Sequence, residues 1–221
     1  RRLERTVRGL KSINDIQRVL ISYFSSLIRQ TTSGFTWSGL ELLDPGHAYL
    51  FVSNHRDIAL DTGFMNYALW MSGHRTSQIA VGDNLFSSGF ATDLMRLNKS
   101  FLVERGAAGA KSQYEALLRT SRYIRSCLEV EESIWIAQRE GRSKDGLDKT
   151  EPALFKMFLL AHREEIKSVT EWLRRVRLVP VSISYEVDPC AGIKAKELYV
   201  TARDGTYKKP EGEDLASIAL G

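Results

Sequence analysis

The sequence predicts an α/β fold in which a mixed, largely parallel sheet is covered by helices, with an amphipathic helix at its N-terminal end. Short apolar runs typical of strands alternate along the chain with longer stretches whose apolar residues recur at helical spacing. The length of 221 residues suits one domain with at most a small appendage. We expect a helical segment over residues 1–33 and an α/β domain over residues 34–221, with no clear linker between them.

The first predicted element is a helix over residues 3–31. Its apolar side chains fall largely on one stripe, and basic residues crowd its first half. Two interpretations stay open for this helix. Its stripe packs on the core of the domain, or the basic amphipathic helix lies on a lipid surface.

The second region contains two predicted strands and a helix. FTWSGLEL (35–42) and HAYLFVS (47–53) are typical of strands, and the Asp44-Pro45-Gly46 turn is expected to join them. A helix is predicted over 58–72, where apolar residues share one face.

The remaining elements continue the alternation of strands and helices. The predicted strands are 76–81, 100–105, 132–138, 177–186 and 197–202. The predicted helices are a stretch containing Leu94 and Met95, then 108–129, then one or two helices within 151–175. Reacting groups in such a fold are expected in loops at the carboxyl ends of the strands.

Composition narrows the class of protein only slightly. A formal net charge of +4 favours an anionic partner, and nucleic acid, phosphorylated metabolites and an anionic membrane surface all remain open at this point. The two cysteines form no cluster with metal-ligand spacing, so neither a zinc site nor a disulfide framework is expected, and a reducing compartment fits best. We find neither a run of about eighteen apolar residues nor a signal-peptide pattern.

The stretch SNHRDIALD (53–61) contains the candidate catalytic residues. Its His-Arg-Asp letters also occur in kinase catalytic loops, but the required asparagine five positions after Asp57 is Thr62 here. A glycine-rich phosphate loop and a strand lysine of the kinase type are missing from the sequence as well. The kinase interpretation is therefore excluded, as are the nucleophile elbow and the dinucleotide-binding motif.

A His–Asp dyad is the alternative interpretation of the same stretch. His55 directly follows the apolar run 49–52 and should emerge at the carboxyl end of a strand. An imidazole held there by a carboxylate can accept a proton from a hydroxyl near neutral pH. Asp57 and Asp61 are both candidate partners. Each also has a purely structural explanation, as a helix N-cap or as a first-turn acid.

Four segments in order resemble the glycerolipid acyltransferases, meaning the glycerol-3-phosphate and 1-acylglycerol-3-phosphate acyltransferases. The matching segments are NHRDIALD (54–61), KSFLVER (99–105), IWIAQREGRS (134–143) and LVPVSI (178–183). Together they cover about residues 35 to 186. The resemblance departs from the family pattern in two places. His55 and Asp61 are separated by one residue more than the family spacing, and the third segment is one residue short between Gly141 and Arg142.

The resemblance implies an O-acyltransferase that moves a fatty acyl group from acyl-CoA or acyl carrier protein to a hydroxyl of a phosphorylated glycerolipid acceptor. His55 would be the general base, Asp61 its favoured orienting carboxylate, and Asp57 a cap or substitute partner. Fork-shaped cationic side chains suit an acceptor phosphate, and the implied substrate-binding residues are Arg105, Arg139, Glu140, Gly141, Arg142 and Ser143.

Attack by the acceptor hydroxyl is expected to be direct, because no serine or cysteine stands in a nucleophile setting. No metal and no cofactor beyond the acyl donor is expected, and nucleic acid is not an expected partner. The apolar substrate implies a cytoplasmic protein held peripherally at the inner face of the membrane. The alternative is a catalytically weakened lipid-binding module, in which the displaced spacings reflect lost activity.

Overall fold

The computed structural model describes residues 10–82, 97–104, 108–210 and 212–213. In chain order the elements are helix α1 (Ile13–Thr31), a short 3-10 helix (Leu40–Leu42), strand β1 (Leu50–Ser53), helix α2 (Leu60–Met71), strand β2 (Gln78–Gly82), strand β3 (Ser100–Val103), helix α3 (Ala110–Glu129), strand β4 (Ile134–Ala137), helix α4 (Pro152–Leu160), helix α5 (Val169–Val176), strand β5 (Leu178–Val181) and helix α6 (Ala191–Asp204). The predicted α/β class is confirmed.

The five described strands form one sheet in the order β3-β2-β4-β1-β5. All four strand pairings are parallel, so the antiparallel part of the expected mixed sheet is not found among the described residues. Parallel sheets are covered on both faces, which is why β1 is buried along its whole length and is apolar up to its last residue, Ser53. Pro180 lies in β5, at one edge of the described sheet, where a missing N–H donor is tolerated.

Two hydrophobic clusters cover the two faces of the sheet. Successive strand residues point to opposite faces, so Leu50 packs in one cluster and Phe51 in the other. The first cluster includes Phe158 and Trp172 from α4 and α5, whose rings stack with centroids 5.9 Å apart. The second is closed by residues of α2 such as Leu69. The carboxyl ends of β1 and β4, which are neighbours, therefore open side by side at one edge of a packed core.

The strand predicted over 35–42 is wrong. Gly39 has a φ of 92° in the left-handed region, and the 3-10 helix follows it directly. The aromatic residues that suggested a strand pack instead on α2: the ring centroids of Phe35 and Phe64 are 5.1 Å apart, and those of Trp37 and Tyr67 are 6.3 Å apart. The Asp44-Pro45-Gly46 turn is present, with the His47 N–H donating to the Asp44 carbonyl.

The strand predicted over 197–202 is also wrong, because this segment belongs to helix α6. Its less exposed side chains recur three to four residues apart, at Ile193, Lys194, Glu197 and Val200, which is a helical spacing. All five strands of the sheet are shorter than their predicted ranges, most of all β5, and residues 151–175 contribute two helices. The helical stretch predicted around Leu94 and Met95 lies outside the described residues.

Helix α1 packs against α2 at a glycine. A Cβ atom on Gly63 would lie 1.9 Å from the ring of Phe24, so only glycine allows the two helices to approach this closely. The Phe24 and Phe64 rings meet edge to face with centroids 5.9 Å apart. Ile13 and Tyr23, on the same helix, are more than half exposed. One side of α1 thus packs on the domain, and the lipid interpretation of the helix stays a prediction.

Candidate active site

The loop between β1 and α2 carries His55 of the candidate dyad, and the first turn of α2 carries Asp61. The loop starts with Asn54, whose side-chain amide pairs with the backbone of Ile183: Oδ1 accepts from the Ile183 N–H at 2.7 Å, and Nδ2 donates to the Ile183 carbonyl at 2.8 Å. These two bonds tie the loop to the segment that follows β5. His55 comes next, so its backbone is held in place by these bonds at the carboxyl edge of the sheet.

The structure places Asp61 against His55. The Nδ1 atom of His55 lies 2.8 Å from Oδ2 of Asp61, and the Asp61 side chain is completely buried while His55 keeps 17% of its side-chain surface exposed. The same Oδ2 accepts the backbone N–H groups of Arg56 at 2.6 Å and Asp57 at 3.0 Å. Asp61 lies in the first turn of α2, so its carboxylate reaches back over the loop and holds it in shape.

Asp57 has a different task. Its Oδ1 accepts the N–H groups of Ala59 and Leu60, both at 2.9 Å, so it holds the turn that leads into α2, although the N-cap position itself is Ala59 and not Asp57 as expected. Its other oxygen, Oδ2, is buried and accepts no hydrogen bond from the described residues. The helix starts at Leu60 rather than at Ile58, so the six residues 54–59 separate it from β1.

The bond to Asp61 selects one tautomer of His55. With Nδ1–H donating to the carboxylate, the lone pair of the neutral ring sits on Nε2, on the side away from Asp61. Nε2 makes no hydrogen bond with the described residues and is available to a ligand. The ring also meets the buried indole of Trp135 edge to face, with centroids 5.8 Å apart. This arrangement suits a base that removes a proton from a hydroxyl.

The third sequence segment lies directly beside His55. The N–H of buried Ser143 donates to the His55 carbonyl at 2.7 Å, and the Gln138 N–H donates to the Ser53 carbonyl at 2.7 Å. Between them Gly141 has a φ of 73°, which favours glycine and lets the loop reverse. Both ends of the loop of residues 138–143 are therefore bonded to the backbone of residues 53–55, and the loop lies next to the segment that carries His55.

The charged residues of this loop differ in exposure. Arg139 and Arg142 are half-buried, whereas Glu140 is exposed. Arg105, expected to join them from the end of β3, lies outside the described residues. The substrate-binding roles of these residues stay predictions.

A second group of side chains, missed by the sequence reasoning, braces the loop from behind. The guanidinium of Arg56 pairs with Asp148 at 2.7 Å, and Asn54 also donates to Asp148 at 3.2 Å. The buried ammonium of Lys194, on α6, donates to the Arg56 carbonyl at 2.7 Å and pairs with Asp188. Asp148 and Lys194 belong to no recognisable motif and are distant in sequence, so only folding reveals their contact with the loop.

Tyr185 is the residue of this second group that touches the dyad itself. Its hydroxyl donates to Oδ1 of Asp61 at 2.8 Å, which completes a set of four hydrogen bonds on that carboxylate. Burial raises the pKa of Tyr185 far above its usual range, and the charge of Asp61 acts in the same direction. The phenol therefore remains a proton donor to Asp61. The only sequence signal for it was its position two residues after the fourth segment.

Fold and site together define an α/β protein with a His–Asp pair at the carboxyl edge of a parallel sheet. The chain matches the Acyltransferase family model over residues 34–184 and belongs to that family. This match confirms the family that the four sequence segments predicted. A search of curated proteins found no significant match.

Proposed function

We propose that this protein transfers a fatty acyl group from a thioester, either acyl-CoA or acyl carrier protein, to a hydroxyl of a phosphorylated glycerolipid such as 1-acylglycerol-3-phosphate or glycerol-3-phosphate. Membership of the acyltransferase family supports acyl transfer in general. The observation that carries the finer proposal is the 2.8 Å contact of His55 with a buried carboxylate, next to an arginine-containing loop.

In the proposed reaction, Nε2 of His55 accepts the proton of the acceptor hydroxyl while the oxygen attacks the thioester carbonyl carbon. Asp61 stabilises the imidazolium that forms, as the aspartate of a serine triad does. The carbon–sulfur bond then breaks, and the leaving thiolate takes the proton from the imidazolium to give a free thiol. The products are an ester and a thiol, so atoms and charges balance without a covalent enzyme intermediate, and the acyl donor is the only co-substrate.

The acceptor phosphate is proposed to bind the cationic groups of the neighbouring loop. Arg139 lies two residues before Gly141, and Arg142 directly follows it. The hydrogen bond from the Ser143 N–H to the His55 carbonyl holds this loop beside the proposed general base. A guanidinium offers paired donors that match phosphate oxygens. Arg105 would contribute from the end of β3, as the family resemblance implies.

Membrane docking is the second part of the proposal. Helix α1 exposes Ile13, Arg18 and Tyr23, and the exposed Lys11 lies just before its N-cap, a mixture suited to an anionic lipid surface. In the described residues no helix is both long and apolar enough to span a bilayer. Both cysteines are free thiols, which agrees with the proposed location at the inner, cytoplasmic face of the membrane.

The catalytic part is tested by thiol release from acyl-CoA and acyl carrier protein with glycerol-3-phosphate, 1-acylglycerol-3-phosphate and a neutral lysolipid as acceptors. We expect turnover with a phosphorylated acceptor and its loss in His55→Ala. The matched control is His47→Ala, since His47 is a partly exposed histidine outside the site. A folded wild-type protein that releases no thiol with any pair, yet binds lipid, would favour the weakened lipid-binding module.

The docking part is tested separately by co-sedimentation with vesicles of phosphatidylcholine alone or with added phosphatidylglycerol. We expect binding to the anionic vesicles and weaker binding of the double variant Lys11→Glu/Arg18→Glu, since each basic residue near the surface contributes about 1 kcal/mol. Equal binding of wild type and variant would contradict a role for this part of α1 while leaving the chemistry intact.

A further inference from the structure

We propose that Tyr185 is a positioning residue for the His–Asp pair. Its hydroxyl completes the hydrogen-bond set of the Asp61 carboxylate and so moderates the basicity of that carboxylate toward His55. This inference rests on the proposed function, because it assigns Tyr185 to the same base. It differs from the family resemblance, whose four segments end before this residue and contain no tyrosine.

The two oxygens of Asp61 have separate partners. Oδ2 serves His55 and the loop amides, whereas Oδ1 accepts from the Tyr185 hydroxyl alone among the described residues. Because Asp61 is completely buried, water cannot replace a lost donor without a change in the packing. Without the phenol, Oδ1 would be a buried acceptor with no partner among the described residues, while Oδ2 would still be bonded to His55 and to the N–H groups of Arg56 and Asp57.

Tyr185 is itself held in place. Two residues earlier, Ile183 is bonded at both its N–H and its carbonyl to the Asn54 amide. The Tyr185 ring packs on Phe64 of α2 with centroids 6.1 Å apart. The residue therefore connects the segment after β5 to the first turn of α2 and to the loop that carries His55, which gives it a fixed geometry relative to the base.

The charge around the pair sets the direction of the expected effect. Negative groups near Tyr185 are Asp61, Asp57 and Asp188, while Arg56 is paired with Asp148 and Lys194 with Asp188. A carboxylate that loses one hydrogen-bond donor becomes more basic and attracts a protonated imidazole more strongly. Removal of the phenol should therefore stabilise the protonated imidazole of His55 and hold more of the base in its inactive form.

The test is Tyr185→Phe, which removes only the hydroxyl and keeps the ring against Phe64. We expect turnover to fall about tenfold with little change in either Michaelis constant, since a hydrogen bond to a charged group contributes on this scale. The acid limb of the pH–rate profile should move to higher pH. The matched control is Tyr123→Phe, whose hydroxyl bonds Gln78 at 2.6 Å, outside the site.

A second readout does not require turnover. The His55 ring can be titrated by NMR in wild type and in Tyr185→Phe, with its signal assigned by comparison with His55→Gln. A shift of the titration midpoint to higher pH supports the proposal even where no acyl transfer is detected, so the two proposals fail separately. Unchanged turnover and titration would overturn it, as would lost turnover with an unchanged titration, which would indicate a merely structural role.

Discussion

Replacing Asp61 with asparagine is expected to lower turnover by about a thousandfold while the fold is kept. The amide retains an oxygen that can accept hydrogen bonds, but it lacks the charge that stabilises a protonated His55. Opposite unit charges in contact attract by about 4 kcal/mol near a protein surface at an effective dielectric constant of about 20. If this attraction is lost only in the transition state, the rate falls about a thousandfold, since each step of about 1.4 kcal/mol in activation free energy changes the rate tenfold.

The matched control is Asp57→Asn, which should remain active. Asparagine caps a helix nearly as well as aspartate, and the Oδ2 of Asp57 accepts no hydrogen bond from the described residues. Steady-state thiol release measures both variants, and thermal unfolding by circular dichroism shows that each is folded. An inactive Asp57→Asn with an active Asp61→Asn would refute the assignment of Asp61 as the orienting carboxylate.

Four further predictions concern the acceptor site, the thiols, the packing of α1 and the pH dependence of stability. Arg142→Ala and Arg105→Ala should raise the Michaelis constant for the acceptor more than that for the donor. Equal changes in the two constants would contradict the proposal that these arginines bind the acceptor phosphate. Burial raises the pKa of the Cys127 thiol, so mass spectrometry after incubation with acyl donor should find no acylated cysteine, and one that is found would refute direct transfer. Gly63→Ala places a methyl group against the Phe24 ring and should lower the free energy of unfolding by about 1–3 kcal/mol. The double variant Gly63→Ala/Phe24→Ala should recover part of this loss. An unchanged melting temperature of Gly63→Ala would contradict the packing of α1 on α2. Burial lowers the pKa of His162 below 6.5, with Arg125 and Arg175 acting in the same direction, so the unfolded chain binds the proton more readily and stability should fall as pH drops below about 6.5. His162→Gln should reduce that fall in melting curves and His47→Gln should not; the same acid sensitivity in His162→Gln as in wild type would refute the assignment.

The alternation of strands and helices was readable from the sequence because it depends on local periodicity. A parallel strand covered on both faces is largely apolar, as Leu50–Ser53 and Ile134–Ala137 are, and the long helix over Ala110–Glu129 repeats its apolar residues at helical spacing. The errors at 35–42 and 197–202 have one cause. Aromatic and β-branched residues favour strands only where a neighbouring strand is available to pair with, and these two segments have none in the described sheet.

The sequence by itself determined the family and the His55 loop, because motif residues and their order are carried by the chain. Only the tertiary structure placed Asp61 rather than Asp57 on His55, since the distance between two side chains depends on where the helix starts and how the loop folds back. Tyr185, Asp148 and Lys194 were beyond sequence reasoning for the same reason. They are separated from the loop by 92 to 138 residues and reach it only because parallel strands bring their carboxyl ends to one edge, where buried charges must find partners.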